Sequence, residues 1–299
     1  MEKSKKNSSF GMGLAFLIVI ACIVGLVVWG IFNRSNGSEA EELNPGATHP
    51  HTFSYAPDGK TVWLGTHTGL YEWKNKKWMK TLTPLGKNDI MGLEIDPSKP
   101  ENIMVSGHGF VKRTTDGGKT WTAAETGLPN QPKPDLPDAH QFTMDPKNSN
   151  HLFTLLAGKG ENLFESKDGG VNWKKAGSIP QETYSIAVAP DNDSSVLVAT
   201  ENGILRYDIN NGVAKETKIS NEPAFQLLSL NNGNVIAMNE GGFLRSKDMK
   251  TWEPMKVELN GEMPLGIKSS KVDANQLLIV TDKYKVFESK DSGKSWSQR

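Results

Sequence analysis

Cysteine is almost missing from this chain of 299 residues, occurring once, at Cys22. That excludes an intrachain disulfide and any zinc site built on cysteine pairs. Net charge is missing too, with 34 basic and 34 acidic residues. Setting aside Lys3, Lys5, Lys6, Arg34 and Glu2 leaves 30 basic residues against 33 acidic ones. A nucleic-acid surface needs a clearly basic domain, so no nucleic-acid partner is expected. Arginine is scarce beyond residue 34, where it stands only at Arg113, Arg206, Arg245 and Arg299. A serine nucleophile elbow, a phosphate-cradling glycine loop and a Cys–His pair are all missing.

Long apolar runs are missing as well, with one exception. Residues 10–32 hold 23 positions without a charge. As a helix they would extend ~34 Å, enough to cross a bilayer core. Lysines precede the run, and Arg34 followed by Glu39, Glu41 and Glu42 comes after it. The positive-inside bias then leaves residues 1–9 as a cytoplasmic tail and places everything later outside. The expected arrangement is a single-pass signal anchor in the plasma membrane. Cleavage is the competing reading: Val19-Ile20-Ala21-Cys22 loosely fits a lipoprotein box, and an ordinary signal is the other option. All three leave the rest of the chain outside the cytoplasm. Residues 33–48 are polar, rich in Ser, Gly, Asn and Glu with one proline, and read as a tether.

What the sequence does have is a repeated phrase. It reads Ser166-Lys167-Asp168-Gly169-Gly170-Val171-Asn172-Trp173 in its clearest copy. Others are Thr114-Thr115-Asp116-Gly117-Gly118-Lys119-Thr120-Trp121 and Ser289-Lys290-Asp291-Ser292-Gly293-Lys294-Ser295-Trp296. A shortened copy runs from Ser246 through Asp248 to Trp252, and residues 71–78 and 206–212 hold the slot without the motif. An aspartate before glycines is turn chemistry: the carboxylate accepts from nearby N–H groups, and glycine takes positive φ freely. Asp116, Trp121, Asp168, Trp173, Asp248, Trp252, Asp291 and Trp296 are therefore read as structural. Around each phrase, strands recur with a period of about 40 residues, the length of a four-stranded propeller blade. Six opening strands, such as His51-Thr52-Phe53-Ser54-Tyr55, precede six second strands, such as Val196-Leu197-Val198. The longest departure is a proline-rich loop at residues 127–137.

The phrase resembles the Asp-box, or BNR repeat. The chain is thus similar to the Asp-box β-propellers: sialidases, sortilin-type domains, photosystem II assembly-factor-like propellers and glycosylhydrolase-like propellers of bacilli. The resemblance implies an all-β fold, a six-bladed β-propeller of four-stranded blades over residues 49–299, preceded by one transmembrane α-helix. It leaves the function open, because unrelated functions share the fold. The last unit ends three residues past Trp296, so residues 43–48 are expected to run beside that blade. Sialidase activity is not expected: three channel-facing arginines are wanted, and the early Phe-Arg-Ile-Pro motif is missing.

In such a fold, opening-strand starts and the loops after second strands share the channel face. His51 and His140 both lie six residues before the proline of their turn, and Met91 holds that position between them. His49, His67 and His108 map to the same face. His49, His51, His67, Met91, His108 and His140 are the candidate metal ligands, a set suited to copper or zinc. His151 maps to the opposite side. Asp89, Glu201, Glu240 and Asp282 are candidate ligand-binding carboxylates, relevant to glycoside hydrolysis if two lie at the required separation. Trp73 or Trp78 is a candidate sugar-stacking platform. The expected function is a ligand- or partner-binding module held at the membrane, with a protein or glycan ligand. The alternatives are a glycoside hydrolase or lyase, and an assembly factor for a membrane complex.

Overall fold

The second strands are mostly apolar and buried, and this decides the architecture. Val62–Thr66, Ile103–Gly107, Ser195–Thr200 and Leu277–Thr281 are buried at every position. A strand buried on both faces needs a sheet packed against each side of it. The chain meets that need with six antiparallel sheets, each of four strands in sequence order. The computed structural model describes residues 41–81, 83–129, 137–157, 162–270, 273 and 275–299. The expected cytoplasmic tail and membrane helix, with the tether as far as residue 40, lie outside the described residues. So does residues 130–136 of the proline-rich loop. Among the described residues, no helix is long and apolar enough to cross a membrane.

Six hydrophobic clusters hold the ring, one between each pair of neighbouring blades. Each blade's opening strand lies innermost, and its fourth strand is short or polar, as in Thr122–Ala123 and Val213–Ser220.

The Asp-box tryptophans work between blades. Trp173 of blade three is buried with Met104 and Val111 of blade two, and its indole N–H donates to Ala124 O at 3.0 Å. Trp121, Trp252 and Trp296 likewise pack against the cluster shared with the preceding blade. Trp78 does the same for blade one, donating to Tyr284 O of blade six at 2.8 Å. It is 4% exposed, so the expected sugar platform at this residue is instead core. The aspartates act as the phrase implies: Asp116 accepts from Thr120 N at 2.9 Å and from the hydroxyls of Thr114 and Thr120, both at 2.6 Å. The two slots without a motif use two-residue turns at positive φ, Asn75–Lys76 and Asn211–Gly212.

At the seam, the final strand has only two residues, Ser297–Gln298. Residues 43–48 do lie beside blade six, as expected, and beside blade one as well. Leu43 N donates to Trp78 O of blade one at 2.9 Å, while Tyr284 of blade six donates to Thr48 O at 3.0 Å. The segment therefore bridges both blades, because the apolar side chain of Leu43 fits the cluster they share.

Candidate functional site

All six blades line one central cavity of about 340 Å³. A Lys268–Glu94 ion pair of 3.0 Å within it joins blade six to blade two. Its rim has two unlike halves. Blades four to six present Tyr184, Phe225 and Leu265. Tyr184 is 44% exposed, and its ring meets Phe225 edge-on at 5.6 Å. Blades one to three present imidazoles and carboxylates.

Strand geometry brings the second group together. His51 and His140 are the second residues of their opening strands, Pro50–Tyr55 and Ala139–Asp145, and Met91 immediately precedes Gly92–Ile95. Asp89 and Asp138 lie two residues upstream of Met91 and His140, and so keep the same facing. His67 and His108 sit in the tight turns that follow Val62–Thr66 and Ile103–Gly107. His67 N is held by His49 O at 3.2 Å. Gly107 permits a closer approach: a Cβ there would lie 1.9 Å from Asp89 O.

The polar atoms converge in two groups. In the first, His51 Nε2 lies 3.2 Å from His67 Nδ1 and 3.2 Å from Asp89 Oδ1, and His67 Nδ1 lies 2.9 Å from Asp89 Oδ2. In the second, Asp138 Oδ1 lies 2.9 Å from His108 Nδ1 and 2.7 Å from His140 Nε2. His108 faces both, since its Nε2 is 3.7 Å from Asp89 Oδ2. His49 closes the row, edge-on to His67 at 5.8 Å. Burial holds the His51 imidazole below the usual histidine range against the opposing pull of Asp89, and the neighbouring histidines reinforce the shift. At neutral pH that ring is uncharged and has a lone pair to offer.

The expected imidazole set thus comes together, with Met91 lining the cavity beside His51 and His140. Asp89 moves from the ligand-binding carboxylates into the imidazole cluster. Asp138 was missed by the sequence reading; its signal was the His140 register, which repeats the spacing of Asp89 to Met91. Glu201 and Glu240 share a second cavity of about 400 Å³ with Tyr184 and Phe225. Asp282 instead accepts a hydrogen bond from Met263 N at 3.1 Å and ties the turn after Leu277–Thr281 to the start of the opening strand Pro264–Ser269. Arg113, Arg206 and Arg245 lie on third strands, Phe110–Thr114, Gly203–Asn210 and Gly242–Ser246. His151, at the other end of blade three, is buried and paired with Glu165 at 2.7 Å. Burial works to raise the Glu165 carboxyl, but the His151 bond and nearby Lys167 hold it low.

No family model matches the chain. A xyloglucanase of Paenibacillus sp. is 28% identical over 132 residues, which is 38% of this chain and 13% of that protein. The photosystem II assembly lipoprotein Ycf48 of Synechococcus sp. is 26% identical over 164 residues, 53% of this chain and 44% of that protein. The chain is a BNR-repeat β-propeller, distantly homologous to the Ycf48-like and xyloglucanase-like propellers. It spans less than half the length of either curated relative. Among solved structures, YCF48 bound to D1 peptide aligns with a TM-score of 0.54 at 17% identity, covering 87% of this chain and 83% of that one. A gluconolactonase-type protein aligns with a TM-score of 0.63 at 14% identity, covering 88% and 93%. At these identities the structures speak for the fold.

Proposed function

We propose that this BNR-repeat propeller is a binding module, anchored in the plasma membrane by residues 10–32, whose outward-held channel face takes a polypeptide segment of a partner protein. The observation that carries this reading is the two-sided rim. Exposed Tyr184 and Leu265 with half-buried Phe225 offer an apolar seat, and Asp89, Asp138 and the histidines opposite offer polar anchors. Clustered exposed apolar side chains with a polar border are typical of interaction sites. The similarity in fold to YCF48, whose structure is of a complex with D1 peptide, supports a protein ligand.

The test is site-specific photocrosslinking of the full chain in its own membrane. A crosslinker replacing Tyr184 or Leu265 should give the same discrete adduct, and one replacing Val213, exposed on an outer strand, should not. No adduct at either rim position, or the same adduct from Val213, would overturn the proposal.

A second reading has one observation in its favour: Glu201 and Glu240 share a cavity with two aromatic rings, a setting in which a sugar can stack while a carboxyl pair acts on it. Xyloglucan oligosaccharides incubated with the full chain, with Glu201→Gln and with Glu240→Gln decide it. Hydrolysis lost in both variants would favour the glycosidase.

A further inference from the structure

We propose that the channel face of blades one to three holds two divalent transition-metal ions, one on His51, His67 and Asp89, the other on His108, Asp138 and His140. In each group the three donor atoms lie within 4.8 Å of one another. The finer spacing is that of ligands around an ion. A tetrahedron with metal–ligand bonds of ~2.0–2.1 Å has edges of roughly 3.3–3.4 Å. In the first group the two imidazole nitrogens lie 3.2 Å apart, and the Asp89 carboxylate meets them with a different oxygen each, Oδ1 at 3.2 Å from His51 and Oδ2 at 2.9 Å from His67. The two measured edges of the second are 2.9 and 2.7 Å. Small rotamer movements open both to ligand geometry.

Hydrogen bonding alone leaves atoms over. A neutral imidazole carries a single N–H, so His51 cannot serve the rest of its group with its one donor. Asp89 Oδ1 and His140 Nε2 are buried and have no hydrogen-bond partner, although each has an opposite-type atom at 3.2 or 2.7 Å. The contacts are close but badly angled for a proton. A cation between the atoms needs lone pairs aimed at a common point and satisfies both.

The donor set selects the ion. Imidazole with carboxylate suits zinc and copper, whereas magnesium and calcium prefer all-oxygen shells. His108 couples the two groups, because its Nδ1 meets Asp138 and its Nε2 points to Asp89. Three protein ligands leave a coordination position open. His51 and His140 line the central cavity, so the open positions face the space where a ligand would lie. The ions would anchor a donor group of that ligand, opposite the apolar seat of Tyr184 and Phe225.

The experiment is metal titration of the full-length chain, purified in mild detergent and stripped by chelator, with bound metal counted by elemental analysis. Zinc and copper should each reach two equivalents, copper more tightly, and magnesium should not bind. His67→Gln and His140→Gln should each retain one equivalent, the lost site weakening by at least about 100-fold, since even outer-shell changes cost 10–100-fold. His108→Gln should abolish the second site and weaken the first. Thermal unfolding of the metal-free variants should match wild type, because both His67 and His140 are partly exposed. Fewer than two ions in the wild type, or two ions retained by His67→Gln and His140→Gln, would overturn the proposal. The titration involves no partner protein, so its failure is separate from failure of the crosslinking test.

Discussion

Replacing Trp173 by alanine should test whether the Asp-box tryptophans join blades or only cap their own hairpins. Trp173 is 3% exposed and stacks on Phe142 with centroids 5.8 Å apart. Its indole N–H reaches Ala124 O of the preceding blade at 3.0 Å, and its backbone N reaches Thr126 O at 2.8 Å. Truncating a buried tryptophan costs about 3–5 kcal/mol, and the orphaned Ala124 carbonyl adds about 1 kcal/mol. That is a large part of the ~5–15 kcal/mol by which a domain is stable. Trp121 provides a milder comparison: it too packs at a blade junction, but it is half-buried and its N–H donates to Gly118 O within its own hairpin at 3.1 Å. Trp121→Ala should cost about half as much. Urea unfolding of the full chain in detergent, followed by tryptophan fluorescence and circular dichroism, measures both. Trp173→Phe should fall between, keeping most of the apolar area and losing the hydrogen bond. A Trp173→Ala cost under about 1 kcal/mol would refute the inter-blade role. The consequence reaches the candidate site, because the same cluster contains Ala139 and Phe142, neighbours in sequence of His140.

Gly107→Ala should damage the first imidazole group without touching a ligand, since its Cβ would lie 1.9 Å from Asp89 O; zinc titration should show the His51, His67 and Asp89 site weakened more than the other. Gly170→Ala should destabilise by more than the usual ~1 kcal/mol glycine effect, because φ is +79° and a Cβ would meet Met104 Sδ at 2.4 Å; thermal unfolding checks it. The Asp248 carboxyl is held down at about 2 by the backbone N–H groups of Thr251 and Lys250. Its folded value is below its unfolded one, so its stabilisation is complete above the ordinary aspartate range and is lost as pH falls through about 2. The difference in melting temperature between wild type and Asp248→Asn should therefore be constant from pH 7 to 5 and vanish near pH 2.

The blades were legible because the strands that define them are the buried ones. Leu152 and Val196 cannot face water, so apolar runs marked the second strands directly. The aspartate phrase then fixed the outer hairpin by local hydrogen bonding. Fourth strands were far less legible: Val213–Ser220 is exposed over most of its length and carries no periodic signal. The seam was legible only in part, blade one's share in it being unforeseen, for a related reason. Leu43 is one apolar residue in a polar stretch, and which blade it joins depends on the two blades meeting there, at opposite ends of the chain.

Legibility of the site turned on register. The position six residues before the turn proline was compared across blades, and it singled out His51, Met91 and His140. Side chains in a strand alternate with a period of two, so the position two residues earlier faces the same way. There the chain has His49, Asp89 and Asp138 in blades one to three. The same comparison applied one step further upstream would have placed Asp138 beside Asp89. What no register supplies is the approach of one blade to the next. Asp89 of blade two reaches His51 and His67 of blade one, and Asp138 of blade three reaches His108 of blade two. Each carboxylate thus serves the blade before its own, in the same direction as the Asp-box tryptophans. That shared direction follows from the ring itself. Successive blades turn the same way about the axis, so a side chain leaving one repeat toward its predecessor finds the equivalent surface in every blade, and chemistry written twice in the sequence is built twice in space.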